Sequence, residues 1–200
     1  MSAFRIVIAP LCALLVLVAG CESKEAIRDR SLKEAANYVA QGKLPEAIIA
    51  YRQAIQADPQ NGPARLKLAD LLIQTDKAGQ ALEQYVRAAD LLPDDVDAQV
   101  VAGQMLLIAK RYEDAQARAQ KALDKSPRNA DALILKGNAM AGLKNLDGAL
   151  MEYEDAIRAE PSKGLAYANL GALQYARGDT SRSEAAFKAA IAAVTLGSSA

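Results

Sequence analysis

The sequence predicts an all-α solenoid built from five helical hairpins, and three observations lead to this fold class. Prolines recur at a constant spacing of 34 residues, at Pro59, Pro93, Pro127 and Pro161, and a fixed period of this size is typical of repeat proteins. Each period contains two amphipathic stretches of about 14 residues, in which apolar residues recur every three or four positions. The composition is rich in alanine, the strongest helix former. A proline in every period excludes a single long coiled coil, because proline breaks a helix.

The first 21 residues have the composition of a secretory signal. Arg5 provides one positive charge, and an almost unbroken apolar stretch follows over residues 6–19. A helix needs roughly 20 apolar residues to span a bilayer, so this stretch is too short for a membrane span. It ends in the sequence Val18-Ala19-Gly20-Cys21. The alternatives at this level are an ordinary cleaved signal peptide and an uncleaved N-terminal anchor.

Residues 18–21 resemble the lipobox of bacterial lipoproteins. The resemblance implies that residues 1–20 are cleaved as a signal peptide, that Cys21 carries the lipid, and that residues 21–27 form a lipidated tether. An ordinary signal peptidase would instead leave Cys21 as an unpaired thiol in an oxidising compartment. Several acyl chains on one residue anchor a protein stably where a single chain does not. We therefore expect a periplasm-facing protein anchored in the bacterial cell envelope. By resemblance to the enterobacterial sorting rule, Glu22 leaves both the inner and the outer membrane open.

The rest of the chain divides into five units when each proline is placed at position 32. The units are residues 28–61, 62–95, 96–129, 130–163 and 164–197, followed by a tail at 198–200. Position 8 holds Ala35, Ala69, Gly103, Gly137 and Gly171; position 20 holds Ala47, Ala81, Ala115, Ala149 and Ser183; position 24 holds Tyr51, Tyr85, Ala119, Tyr153 and Phe187; position 27 holds Ala54, Ala88, Ala122, Ala156 and Ala190. This register resembles the tetratricopeptide repeat (TPR) family, which has small residues at positions 8, 20 and 27, an aromatic at 24 and proline at 32. The resemblance implies a right-handed superhelix of helix-turn-helix repeats.

The first unit illustrates the two helices that we expect in each repeat, over residues 28–41 and 44–57. Small residues let the two helices approach, and the aromatic side chain fills the space beside their contact. Asp58, Asn61 and Asp131 are candidate helix caps. One hairpin cannot bury its apolar face alone, so stability comes from stacking of neighbouring repeats.

Three departures from the family pattern carry expectations of their own. The tryptophan usual at position 4 is replaced by Ser31, Arg65, Gln99, Leu133 and Tyr167. Repeat 3 has Ala119 at the aromatic position, which predicts a thinner core there. Repeat 5 lacks the proline and ends in an alanine-rich helix over residues 189–196. Solenoids normally end in a polar cap. We expect that a partner covers this end, that the end is short enough to stay soluble, or that the chain is part of a longer repeat protein.

The TPR resemblance also implies a concave groove lined by repeat positions 2, 5, 9, 12 and 13 of the first helices. Carried over to this sequence, the candidate partner-binding residues are Leu66, Asp70, Val100, Gln104, Ile134, Asn138 and Tyr175. The position-5 residues would form an apolar rail, beside amides that can bond a peptide backbone through both donor and acceptor. The alternative is that Leu66, Val100 and Ile134 are partly buried between helices. The carboxylate clamp of chaperone-binding members is not expected, because Asp70 would repel a carboxylate.

The composition argues against catalysis and against several ligand classes. The chain has no histidine, and both of its cysteines, Cys12 and Cys21, lie in the first 21 residues. Histidine is the commonest general base and a leading metal ligand, so we predict neither enzyme activity nor a metal or other cofactor. The net charge is zero and aromatics are 4%, which argues against nucleic acid. We expect no small-molecule substrate. A hydrolase or transferase would have to rely on carboxylates, serine or lysine.

The sequence thus predicts a membrane-anchored periplasmic TPR scaffold that binds a protein or peptide. The stretch 137–149 resembles the exosortase-associated (PEP-CTERM) TPR lipoproteins linked to exopolysaccharide production, which have many more repeats. Pilus-assembly pilotins and outer-membrane assembly factors share the same architecture. The alternative function is a structural arm packed permanently within an export, pilus or outer-membrane assembly complex.

Overall fold

The computed structural model describes residues 23–197, which form ten α-helices paired as five hairpins. The helices are α1 (Lys24–Ala40), α2 (Leu44–Ala57), α3 (Gly62–Gln74), α4 (Ala78–Leu91), α5 (Val96–Ile108), α6 (Tyr112–Lys125), α7 (Ala130–Gly142), α8 (Leu146–Ala159), α9 (Gly164–Ala176) and α10 (Thr180–Gly197). Each hairpin packs on the next, which confirms the all-α solenoid. The predicted signal peptide, Cys21 and the tail at 198–200 lie outside the described residues. Within those residues, no helix combines the length and apolar character of a membrane span.

The helix ends follow the repeat. Each of the second helices α2, α4, α6 and α8 ends two residues before its proline, because proline disfavours helical backbone in the residue before it. The first helices α3, α5 and α7 are capped by Asn61, Asp95 and Asn129, whose side-chain oxygens accept backbone N–H groups at 2.9, 3.0 and 2.8 Å. The expected cap Asp131 is wrong: it lies inside α7 and pairs with Lys163 at 2.9 Å.

The first and last helices are longer than the repeat requires. α1 begins at Lys24 because the Ser23 hydroxyl accepts the Ala26 N–H at 3.1 Å. Residues 24–27, expected as part of a tether, are therefore the first turn of a helix. At the other end, Thr195 stands where the other repeats have proline, and α10 continues through it to Gly197.

Position 15 of every repeat makes the turn between its two helices with a left-handed backbone. These residues are Gly42, Asp76, Lys110, Lys144 and Gly178, with φ between 58° and 84°. A left-handed residue reverses the chain within a short loop, and only glycine adopts this conformation without strain. The turn is thus a property of the position and is kept even where lysine occupies it.

The interior confirms the role of the small residues. The alanines at position 20 in repeats 1 to 4, and those at position 27 in the same repeats, are fully buried between helices. The buried polar residue Gln99 stands at the position of the missing tryptophan. Its Nε2 donates to the carbonyl of Ala89 at 2.6 Å, while its Oε1 accepts from Arg118 at 3.2 Å. Because these bonds satisfy the amide, Gln99 links α4, α5 and α6 without an unpaired polar group.

Repeat 3 does not have the thinner core that Ala119 predicts. Leu135, from the first helix of repeat 4, is fully buried and packs in one cluster with Ala119 and Leu106. A Cβ added at Gly103 would overlap the Leu135 side chain, just as a Cβ added at Gly137 would overlap the ring of Tyr153. The space that the aromatic residue fills in repeat 4 is therefore filled in repeat 3 by a leucine from its neighbour.

Candidate partner-binding groove

The first helices of successive repeats line one side of the solenoid. Each first helix packs against the second helix of its own repeat and of the preceding one, and α5, α7 and α9 also contact one another directly. Contact between first helices places them on the inner side of the curved stack. The residues predicted for partner binding all lie on the first helices α3, α5, α7 and α9.

Position 9 supplies the polar side chains of this inner face. Asp70 and Asn138 are half-buried, and each accepts a hydrogen bond from the tyrosine at position 24 of its own repeat. The Tyr85 hydroxyl donates to Asp70 Oδ1 at 2.6 Å, and the Tyr153 hydroxyl donates to Asn138 Oδ1 at 2.7 Å. Asn138 Oδ1 also accepts from Asn169 Nδ2 at 3.0 Å. These oxygens are therefore already used within the protein.

Gln104 differs from the other two position-9 residues. It is exposed, and its repeat has Ala119 where the others have tyrosine, so no phenol reaches it. Its amide is left with a free donor and a free acceptor, the combination that pairs with a peptide backbone. Of the three polar residues predicted at this position, Gln104 is the one available for a partner.

The position-5 residues do not form the expected apolar rail. Val100 and Ile134 are only 6% and 3% exposed, and they share a buried cluster with Ala132 and Ala166 of the following repeats. Leu66 is half-buried against the neighbouring core. The stagger of successive repeats covers position 5, so Val100 and Ile134 are core residues and present no surface to a ligand.

The exposed apolar residues of the inner helices lie instead at position 12 and beside it. Val39, Ile73 and Tyr175 are exposed at position 12, and Ile108 is exposed at position 13 of repeat 3. Leu107, at position 12 of the same repeat, is partly buried. The predicted residue Tyr175 belongs to this apolar row, which runs along the ends of the first helices. Sequence reasoning placed the row one helical turn too early.

One hollow of about 290 Å³ lies between α1 and α3 on the inner side. Val39 and Leu71 give it apolar walls, while Lys67, Asp70 and Gln74 contribute charged and amide groups. Tyr51 closes it from α2. Of these residues only Asp70 was predicted as a site residue. The repeated aromatic at position 24 is the signal that could have identified Tyr51.

The tyrosines at position 24 stay protonated well above their ordinary range. Burial raises the pKa of Tyr153 to about 12. Burial also raises the pKa of Tyr85, and the hydrogen bond to Asp70 and the charge of that carboxylate raise it further. Burial and, to a smaller extent, Asp70 raise the pKa of Tyr51. Neutral phenols can donate at all physiological pH values, so the bonds to Asp70 and Asn138 are permanent features of the groove wall.

Comparison with solved structures supports the same fold. MamA from Desulfovibrio magneticus RS-1 aligns with a TM-score of 0.73 and 17% identity, covering 84% of this chain and 94% of that chain. PilF of Pseudomonas aeruginosa aligns with a TM-score of 0.66 and 19% identity, covering 85% and 78%. YrrB, described as a TPR protein with an unusual peptide-binding site, aligns with a TM-score of 0.67 and 17% identity, covering 86% and 94%. At these identities the likeness shows the fold alone. No curated protein matches the sequence.

Family models identify the repeat directly. Two models of the tetratricopeptide repeat match, one over residues 38–104 and the other over residues 109–162 and 145–197. Together they cover most of the described helices. Repeats of this kind are generally non-catalytic scaffolds for protein–protein interaction. The chain belongs to the tetratricopeptide repeat family.

Proposed function

We propose that this chain is a lipid-anchored, periplasm-facing scaffold that binds a peptide or protein partner along its inner face, in envelope assembly, secretion or exopolysaccharide assembly. The observation that carries the proposal is the combination on the inner helices of an exposed apolar row with the free amide of Gln104. The lipobox-like residues 18–21 support the anchor. The TPR fold supports binding of a protein rather than catalysis.

The groove suits a segment with spaced apolar side chains. Val39, Ile73 and Tyr175 provide separate apolar contacts along the stack, and Gln104 lies between them in the chain order of repeats. An extended segment bonds through its backbone and places alternate side chains in pockets, while a helix presents apolar residues at i and i+3 or i+4. The hollow beside Asp70 and Lys67 accommodates one side chain of such a segment.

The alternative is a structural arm packed permanently in an assembly complex. The exposed apolar residues Ile191 and Val194 at the last repeat favour it, because a permanent contact would cover them. The two functions differ in which surface is occupied. A recruiting scaffold uses the inner face, whereas an arm uses its end or several faces at once.

Photo-crosslinking in cells from the inner and outer faces distinguishes these functions. A photoreactive residue replaces Gln104 on the inner helix α5 or, as a control, Gln120, which is exposed on α6. We expect one protein to be captured from residue 104 and not from residue 120. Ile73→Asp should abolish the capture, whereas Ile49→Asp, at an exposed isoleucine of α2, should not. Equal capture from both faces, or from neither, contradicts the groove and favours the structural arm.

The anchor is tested separately at Cys21. Cells fed an alkyne-labelled palmitate should label the parent chain but not the Cys21→Ser variant, and the variant should leave the membrane fraction. Cys12→Ser, in the predicted signal peptide, is the matched control and should retain the label. Labelling that survives Cys21→Ser would show that the lipobox resemblance is misleading.

A further inference from the structure

The last repeat presents an apolar surface that the other repeats cover. Leu165 of α9 and Ile191 and Val194 of α10 are 53%, 68% and 64% exposed. Together with Ala168 and Ala190 they surround a hollow of about 480 Å³ that has no charged residue in its lining. We call these five residues the end face. A contiguous apolar surface of this kind is typical of a protein interface.

The inner repeat junctions show what such a surface accepts. Ile191 stands at position 28, where Ala89 and Leu123 of earlier repeats are buried. In each inner junction the following repeat contributes a fully or nearly fully buried alanine at position 3, namely Ala64, Ala98, Ala132 and Ala166. The end face is thus the fifth member of a series of helix-packing surfaces, and an uncharged helical surface with small residues fits it.

The front of the solenoid is not such a surface. At position 3 of repeat 1 the alanine is replaced by Arg30, and at position 7 Glu34 stands where repeat 2 has the buried Leu68. Arg30 and Glu34 form an ion pair at 3.9 Å across the outer side of α1. Packing the end face of one copy on the front of another would bury these charges in an apolar contact, which is unfavourable. Head-to-tail stacking of copies is therefore disfavoured.

The end face meets its own copy without this penalty. From Ala189 to Thr195 α10 carries no charge, and the nearest charged pair, Lys188 and Glu184, is satisfied within the helix at 2.6 Å. Ala168 and Ala190 are small enough to leave the hollow that a larger apolar side chain can enter. We propose that the end face joins two copies of this chain tail to tail, as an isologous dimer. The dimer leaves the inner helices α1, α3 and α5 free, so the groove and the end face act independently.

Photo-crosslinking of the full chain in cells tests the dimer. With the photoreactive residue at Leu165, the expected product has twice the mass of the chain and contains peptides of this chain alone by mass spectrometry. With the residue at Ile49, which is exposed on α2 at the opposite end, no such product is expected. Both positions experience the same membrane anchoring, so crowding of anchored copies cannot produce the difference. Equal yields from both positions, or no doubled product from Leu165, would overturn the proposal.

Charged substitutions on the end face provide the second test. Ile191→Glu with Val194→Glu should reduce the Leu165 product to the level seen from Ile49, because two copies would then bring like charges together. The milder Ile191→Ser should weaken the product in the same direction. The helical circular dichroism signal of each variant shows that it is folded. A product that survives the double substitution, or one that contains a different protein, would rule out the tail-to-tail dimer.

Discussion

Repeat 4 fills the space beside its small position-8 residue with the ring of Tyr153 from its own second helix, whereas repeat 3 uses Leu135 from the following repeat. The two solutions have different consequences. The tyrosine also bonds Asn138 and so satisfies the polar residue on the inner face. Leu135 cannot do this, and Gln104 remains free. The comparison shows that loss of one aromatic both strengthens a junction between repeats and exposes an amide to a partner.

Removing Leu135 should have the largest effect. Leu135→Ala leaves a cavity among Leu106, Ala115 and Ala119, and such truncations cost about 2–5 kcal/mol in the free energy of unfolding. Because Leu135 joins repeats 3 and 4, we also expect a lower denaturant m-value, as the two halves unfold less cooperatively. Urea unfolding followed by circular dichroism measures both.

The matched control for this truncation is Met151→Ala in the same repeat. Met151 is exposed on α8, so its truncation should change the free energy of unfolding by less than about 0.5 kcal/mol. A Leu135→Ala variant that loses no more than this control would show that Leu135 does not replace the missing aromatic.

Restoring the aromatic residue of repeat 3 sharpens the comparison. Ala119→Tyr alone should destabilise the protein by about 1–3 kcal/mol, because the ring overpacks a space that Leu135 already occupies. In the Leu135→Ala background the same substitution should stabilise, since the cavity accepts the ring. A double-mutant cycle by urea unfolding measures the coupling. Additive effects would mean that the two side chains do not share one space.

The hydroxyl of Tyr153 should contribute less than these core changes. Tyr153→Phe keeps the ring but removes the donor to Asn138, which retains its bond from Asn169 at 3.0 Å. The expected loss is about 0.5–1.5 kcal/mol in the free energy of unfolding. Tyr175→Phe, at an exposed tyrosine, is the control and should change stability by less than about 0.5 kcal/mol. Equal losses in the two variants would contradict a structural role for the bond.

The same tyrosine predicts a loss of stability in alkali. Burial raises the pKa of Tyr153 from its ordinary value of 10.0 to about 12, so the folded state favours the neutral phenol. The resulting stabilisation is fully present below the unfolded pKa and is lost as the pH rises from about 10 through about 12. The free energy of unfolding, measured across this range, should fall less in Tyr153→Phe than in the parent chain. An equal fall in both would show that Tyr153 titrates alike in the folded and unfolded states.

Features that belong to one repeat could be predicted from the sequence, whereas features created between repeats could not. The proline period and the small residues at positions 8, 20 and 27 determine one hairpin, and their pattern predicted the solenoid and the buried alanines. The burial of Val100 and Ile134 depends on the stagger of the following repeat, which no single unit reveals. Leu135 was missed for the same reason, although leucine is unusual at position 6, where other repeats have Lys33, Lys67 and Asn169.

The smallest effect on stability should come from Gln104, and this is what makes the residue informative. Gln104→Ala removes an exposed amide without a tyrosine partner, so the free energy of unfolding should change by less than about 0.5 kcal/mol. Asn138→Ala should cost more, because it leaves both the Tyr153 hydroxyl and Asn169 without their acceptor. If Gln104 bonds a partner, Gln104→Ala should nevertheless reduce capture of that partner by a photoreactive residue at Ile73, with urea unfolding unchanged. A variant that is equally stable and captures as well as the parent would remove Gln104 from the groove and leave the apolar row as its only recognition element.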